Sequence, residues 1–275
     1  MKRFPGKRVI ITGAGSGFGR ALALEFASKG WKIGVADINS QRASETVDMV
    51  NQKGGQGLEI MCDVTDITQL EDTAALLKDK WGGVDIVVNN AGVAGAGYME
   101  KIPMDQWDWI IGLNLKSVIH GCRAFIPMLE DQGHGHIVNM ASNAGIACLP
   151  EMASYNVTKA AVIALSETLK SELAAKNIGV TVICPTFFKT NLMDQFNSTD
   201  ERQRLMAEKF FSSARTTAEK VAQATMKAIN KNRLYVVTPW DGKLVWGLKR
   251  FCPEIWYKMV AFGYSRFGKA LDLQP

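Results

Sequence analysis

The sequence predicts an α/β fold: a doubly wound parallel sheet of about seven strands, helices on both faces, and a helical C-terminal tail. Three observations carry this. Short runs rich in β-branched residues alternate with longer amphipathic runs from the start of the chain. The strand runs are almost continuously apolar, as strands covered on both faces must be. A glycine-rich turn, Thr12 to Gly19, joins the first strand to the first helix.

In chain order, RVIITG is followed by FGRALALEFASKG, and WKIGVAD by SQRASETVDMVNQKG. GLEIMCDV precedes TQLEDTAALLKDKWG, and VDIVVNNAG precedes a long helical region. GHIVNMAS, IGVTVICP and RLYVVTP supply three more strands. No linker or internal repeat intervenes, so one domain is expected over residues 1–240. The tail, residues 241–275, has another texture. Trp240 precedes it, and Trp246, Trp256, Tyr257, Phe262 and Phe267 lie in it among lysines and arginines, with Pro253 dividing it into two helices. It reads as an element packed on or beside a pocket, ahead of a subunit contact or an interfacial membrane helix.

Of the 275 residues 47% are hydrophobic and 21% charged, the composition of a soluble globular chain. The net charge of +5 is modest and the basic residues are spread along most of the chain, which argues against nucleic acid as a partner. Five cysteines without a C-x-x-C pair read as free thiols in a reducing, cytoplasmic setting. The apolar run at the amino terminus is too short for a signal peptide, and none approaches the roughly 18 residues of a membrane span. His134 and His136 flank Gly135 at a strand entry, and no metal site is expected.

TGAGSGFG places Gly13, Ser16, Gly17, Phe18 and Gly19 between a strand and a helix. Glycines there allow a tight turn and close backbone approach to a pyrophosphate, which the helix N-terminus attracts. Asp37 ends the second strand 20 residues after Gly17. By itself it would read as a turn acid. Behind the glycine turn it reads as a carboxylate that accepts the ribose hydroxyls of a dinucleotide and repels a 2′-phosphate. Arg42 is expected to face solvent on the next helix, so NAD is favoured over NADP.

The turn TGAGSGFG, NNAG at Asn89 to Gly92, and Ser142 placed 13 positions before Tyr155 of YNVTK together resemble the single-domain branch of the short-chain dehydrogenases/reductases. The likeness covers nearly all of residues 5–240. It implies a Rossmann-like fold and a catalytic tetrad of Asn114, Ser142, Tyr155 and Lys159. It further implies Asp63 and Val64 beside the adenine, Asn90 beside the ribose, and Thr190 at the nicotinamide carboxamide. A homodimer or homotetramer through the helices of Asn114 and Tyr155 is also implied. One departure is visible: Thr186 follows Pro185 where the family usually has glycine.

Tyr155 and Lys159 are four residues apart on a strongly helical segment, so they share a face about 6 Å apart along the axis. A phenol has a pKa of about 10. An ammonium and a cationic nicotinamide nearby are expected to lower it toward working pH. Ser142, at the carboxyl end of a strand, can hold a substrate oxygen. Asn114, inside a helical run, either holds a water in a relay toward Lys159, as the resemblance implies, or closes a kink. The expected wall is apolar: Val93, Ala94, Ile146, Leu149, Met152, Phe187, Phe188, Leu192, Met193 and Phe196. These readings converge on NAD-dependent interconversion of a hydrophobic secondary alcohol and its ketone. An NADPH-dependent carbonyl reductase and a non-catalytic nucleotide-binding protein that docks through its tail stay open as alternatives.

Overall fold

The computed structural model describes residues 3–188 and 196–271. In chain order the strands are β1 (Arg8–Thr12), β2 (Lys32–Asp37), β3 (Gln56–Met61), β4 (Ile86–Asn89), β5 (Gly95–Ala96), β6 (Gly135–Met140), β7 (Ile178–Pro185), β8 (Asn197–Ser198) and β9 (Tyr235–Thr238). Seven of them form one parallel sheet in the order β3-β2-β1-β4-β6-β7-β9, and β5 pairs with β8 alone. The chain winds outward from β1 to β3, then crosses back to lay β4 against the other edge of β1, with Val9 opposite Ile86. At such a reversal the carboxyl ends of the strands diverge and leave a crevice.

The helices are α1 (Gly17–Ala27), α2 (Ser40–Gln52), α3 (Ile67–Trp81), α4 (Met104–Ile111), α5 (Ser117–Gln132), α6 (Ala144–Ala147), α7 (Ala153–Glu172), α8 (Glu201–Ser213), α9 (Ala218–Asn230), α10 (Trp240–Phe251) and α11 (Pro253–Leu271). Period-two alternation sends Val9 and Ile11 of β1 to one face of the sheet and Ile10 to the other. The first face is covered by α1 and α9 through Leu22, Phe26, Val221 and Ile229. The second is covered by α3, α5 and α7 through Leu70, Leu77, Phe125 and Val162. Each such side chain, fully buried, contributes about 1.5–3 kcal/mol, so this two-sided burial is what fixes the strand register. Asn39 and Asp66 cap α2 and α3, accepting from the amides of Arg42 and Thr68.

Pro253 starts α11 and so bounds the two tail helices. The tail fastens onto the segment that leads into α7. The Asn143 amide donates to the Gly242 carbonyl at 3.4 Å, the Trp256 indole to the Ala147 carbonyl at 2.9 Å, and Lys249 Nζ lies 3.2 Å from Cys148 Sγ. Cys148 and Glu151 in this segment have φ of 51° and 60°. Left-handed backbone at non-glycine residues persists where surrounding contacts over-determine it, and the tail supplies several of them. No helix among the described residues is long and apolar enough to cross a membrane.

Candidate active site

A cavity of about 660 Å³ opens at the carboxyl ends of β1, β2, β4, β6 and β7. Its lining includes Gly13, Ser16, Gly17, Phe18, Gly19, Asp37, Asp63, Val64 and Asn90, together with Ser142, Tyr155 and Lys159. Three glycines of the turn are fixed by the protein's own close approaches. A Cβ on Gly13 would lie 2.9 Å from Ala91 Cα, one on Gly15 2.7 Å from Asp37 Oδ2, and one on Gly19 2.3 Å from the Gly13 carbonyl oxygen. Gly17 opens α1 at φ 51°. The Ser16 side chain does not cap the helix and its first turn holds no acid, so the amides and positive end of α1 face the cavity. This cradle fits the pyrophosphate of a dinucleotide.

Asp37 is held in place by the amides of Gly15 at 2.8 Å and Asn39 at 3.0 Å, one on each carboxylate oxygen. Arg42 is exposed, as its position on α2 suggested, yet it also borders the cavity beside Asp37. Asn90 is turned to structural use. Its side-chain amide donates to the carbonyls of Thr12 at 2.8 Å and Gly13 at 3.1 Å, and its backbone N–H to the Thr12 hydroxyl at 3.0 Å. It therefore ties the glycine turn to the end of β4. Asp63 accepts from the amide and hydroxyl of Thr65 at 2.9 and 2.7 Å, which fixes the turn at the far wall. Thr190, Leu192 and Met193 lie outside the described residues.

Asn114 is fully buried in a π-helical turn, Gly112–Lys116, between α4 and α5. Its side chain clamps the backbone of Val93, accepting from the N–H at 2.8 Å and donating to the carbonyl at 2.9 Å. A Cβ on Gly92 would lie 2.7 Å from Asn114 Oδ1 and 3.4 Å from Lys159 Nζ. The last glycine of NNAG is what lets these two side chains approach. Ser142, half-buried just beyond β6, hydrogen-bonds Tyr155 on α7. The Ala144 amide donates to the Ser142 oxygen at 3.1 Å and sets its orientation. Lys159 Nζ donates to the Met140 carbonyl at 3.1 Å and lies 5.7 Å from the centroid of the Tyr155 ring.

The sequence led us to expect a lowered phenol pKa, and the protein alone shows the reverse. Burial pushes Tyr155 up to about 12, although its hydrogen bond with Ser142 pulls the other way. Burial also brings the Lys159 ammonium down to about 8. With its ammonium bonded to Met140 and set beside the ring, Lys159 does not offset the desolvation of a phenolate. A positive charge bound in the cavity beside Tyr155 would act against this effect of burial.

The rest of the wall is apolar. Val93, Ala94, Leu149, Met152, Phe187, Phe188 and Phe196 border it as expected, whereas Ile146 packs into the core beneath α7. Phe187 stacks on Phe210 of α8 at 5.1 Å between centroids. Val260 and Tyr264 of the tail helix α11 also border the cavity, and the sequence reading missed α8, notably Met206 and Phe211. Their apolar spacing looks like any amphipathic helix, and only the fold shows which face turns inward. Thr186 packs its methyl toward α10, where a Cβ on Gly242 would lie 2.9 Å from it. The departure at this position is thus matched by a glycine in the tail.

Comparison with known proteins agrees with this arrangement. The family model described as short chain dehydrogenase matches residues 7–201. Over 255 residues the chain is 35% identical to EphD of Mycobacterium tuberculosis, described as a probable oxidoreductase, a match covering 90% of this chain and 43% of EphD. The chain thus spans less than half the length of that relative. It is 34% identical over 206 residues to a 3beta-hydroxysteroid dehydrogenase of Mediterraneibacter gnavus, covering 74% of each. The crystal structure of a short chain dehydrogenase/reductase from Burkholderia phymatum in complex with NAD superposes with a TM-score of 0.87 at 32% identity, covering 93% of this chain and 96% of that one. The motifs read from the sequence, the sheet order and these matches coincide along the same stretch of chain, and it belongs to the short chain dehydrogenase family of oxidoreductases.

Proposed function

We propose that this oxidoreductase uses NAD to interconvert a hydrophobic secondary alcohol and its ketone, with Tyr155 as general base and acid. One observation carries the reading. The Tyr155–Ser142 pair and Lys159 sit where a dinucleotide cradle meets a wall of phenylalanine and methionine side chains in a single cavity. The likeness to a 3beta-hydroxysteroid dehydrogenase agrees in kind, since such a substrate is a rigid apolar secondary alcohol.

NAD, when bound, supplies the hydride acceptor and a cationic ring. The turn Gly13–Gly19 and the start of α1 hold the pyrophosphate, Asp37 accepts the ribose hydroxyls, and Asp63 and Val64 border the adenine. Ser142 holds the substrate oxygen against Tyr155 Oη and steadies the charge that develops there. Tyr155 takes the alcohol proton at Oη, and Lys159, when protonated, favours the phenolate that does so. Asn114 positions the Val93 backbone beside Lys159. Thr190 is assigned to the nicotinamide carboxamide by resemblance.

A second reading, an NADPH-dependent carbonyl reductase, is favoured by Arg42. It flanks Gly15 together with Asp37, where a guanidinium can meet a 2′-phosphate. Reduction of NAD and of NADP, screened against steroid, aliphatic, aromatic and cyclic alcohols, separates the two. Turnover with NAD and apolar secondary alcohols is expected. Preference for NADP favours the second reading, and no turnover with any alcohol removes both.

A further inference from the structure

We propose that the outer faces of α10 and α11 seat this protein on an anionic lipid surface, the two helices lying in the headgroup plane above the cavity. On α10 the exposed apolar residues are Trp240, Leu244 and Phe251, and the most exposed on α11 are Ile255, Met259 and Phe262; all six are between 53% and 81% exposed, and Met259 also borders the cavity. At 100° per residue each set falls within a sector of roughly 60°, so each helix carries one continuous apolar stripe. The opposite sides are already engaged. Val260 and Tyr264 border the cavity, and Trp256 bonds the Ala147 carbonyl. Core packing therefore does not explain the stripes.

Charge selects the occupant. Lys243 and Arg250 flank the stripe of α10 on one side, Lys258 flanks that of α11, and Arg266 follows Phe262 along the same line one turn further on. Over residues 240–275 there are six lysines and arginines against three acids, giving +3 of the chain's net +5. An apolar stripe edged with basic residues matches the acyl boundary and anionic headgroups of a bilayer, where each basic residue near the surface contributes about 1 kcal/mol. A second copy of the chain docked on the same face would set this positive field against itself, with few acids to offset it. Neither helix is long and apolar enough to span, so the mode is interfacial. This inference rests on the two helix faces and holds whatever alcohol the cavity accepts.

The test is co-sedimentation of the full chain with phosphatidylcholine vesicles, with and without phosphatidylglycerol, at low and high salt. Binding to the anionic vesicles at low salt is expected. It should fall at least about tenfold in Lys243→Glu/Arg250→Glu and in Phe251→Ser/Phe262→Ser. All four positions are exposed and outside the cavity wall, so circular dichroism and cofactor binding should match the parent. Quenching of tryptophan fluorescence by brominated lipid provides a second measurement on the unmodified protein. Failure of the parent to pellet or quench would overturn the proposal, as would equal binding of the variants. So would sedimentation velocity showing that Phe251→Ser/Phe262→Ser dissociates an oligomer that does not bind vesicles, since that assigns the face to a second copy.

Discussion

The Tyr264 hydroxyl donates to Glu151 Oε1 at 2.9 Å and so joins α11 to the segment entering the helix of Tyr155. The other carboxylate oxygen accepts from Arg202 at 2.7 Å and from Gln203 at 2.8 Å, both on α8. Burial alone would raise the Glu151 carboxyl, but the bonds from Arg202, Gln203 and Tyr264 outweigh it and hold the pKa below the ordinary glutamate value. Three elements that close the cavity therefore meet on one carboxylate.

Removing that link should loosen the cover without stopping the chemistry. In Tyr264→Phe the amides of α11 are expected to exchange hydrogen about threefold to tenfold faster, the loss of one charge-assisted bond that is partly open to solvent. KM for bulky alcohols should rise with little change in kcat. Unchanged exchange in α11 would show that Glu151 does not hold the helix down.

Lys159 makes stability depend on pH in a definite direction. Its folded pKa of about 8 lies below the usual lysine value of 10.5, so the folded state binds fewer protons than the unfolded one between these limits. Unfolding free energy should therefore rise with pH from about 8 toward 10, before the Tyr155 phenol, held near 12, begins to act in the opposite sense. At pH 7 the buried ammonium costs on the order of 3 kcal/mol. Chemical denaturation of the parent and of Lys159→Met across this range checks it. The parent should gain on the variant as pH rises, and parallel curves would refute the assignment.

Gly242 and Thr186 should behave as a coupled pair. Gly242→Ala places a methyl about 2.9 Å from the threonine methyl, and overpacking of this kind costs about 1–3 kcal/mol. Adding Thr186→Gly should restore most of the loss in a double-mutant cycle read by thermal unfolding. Simple additivity would mean that the tail relaxes independently of this contact.

Cofactor choice is expected to rest on Asp37. Asp37→Ala should weaken NAD binding and narrow the preference for NAD over NADP, each by about tenfold or more, as measured by fluorescence titration. An unchanged ratio of the two affinities would place discrimination elsewhere, with Arg42 the first candidate.

The sheet was legible because its strands are apolar on both faces, and the cradle was legible because a glycine turn between strand and helix followed by Asp37 has few other uses. Tyr155 and Lys159 were less specific alone and gained meaning from Ser142, Asn114 and the glycine turn. Two kinds of information were not legible. Electrostatic direction depends on depth, and the sequence could not show that burial would outweigh Lys159 in setting the Tyr155 pKa. Long-range closure depends on topology: nothing local to Glu151 or Tyr264 announces that residues 113 positions apart will share a hydrogen bond.

The most direct test of Tyr155 as the acid–base group is steady-state turnover of Tyr155→Phe beside its affinity for NAD. The expected result is a fall in kcat of about 10²–10⁴-fold with NAD affinity within a few-fold of the parent, because the ring still packs while the proton site is gone. Near-parental turnover with NAD bound would contradict it.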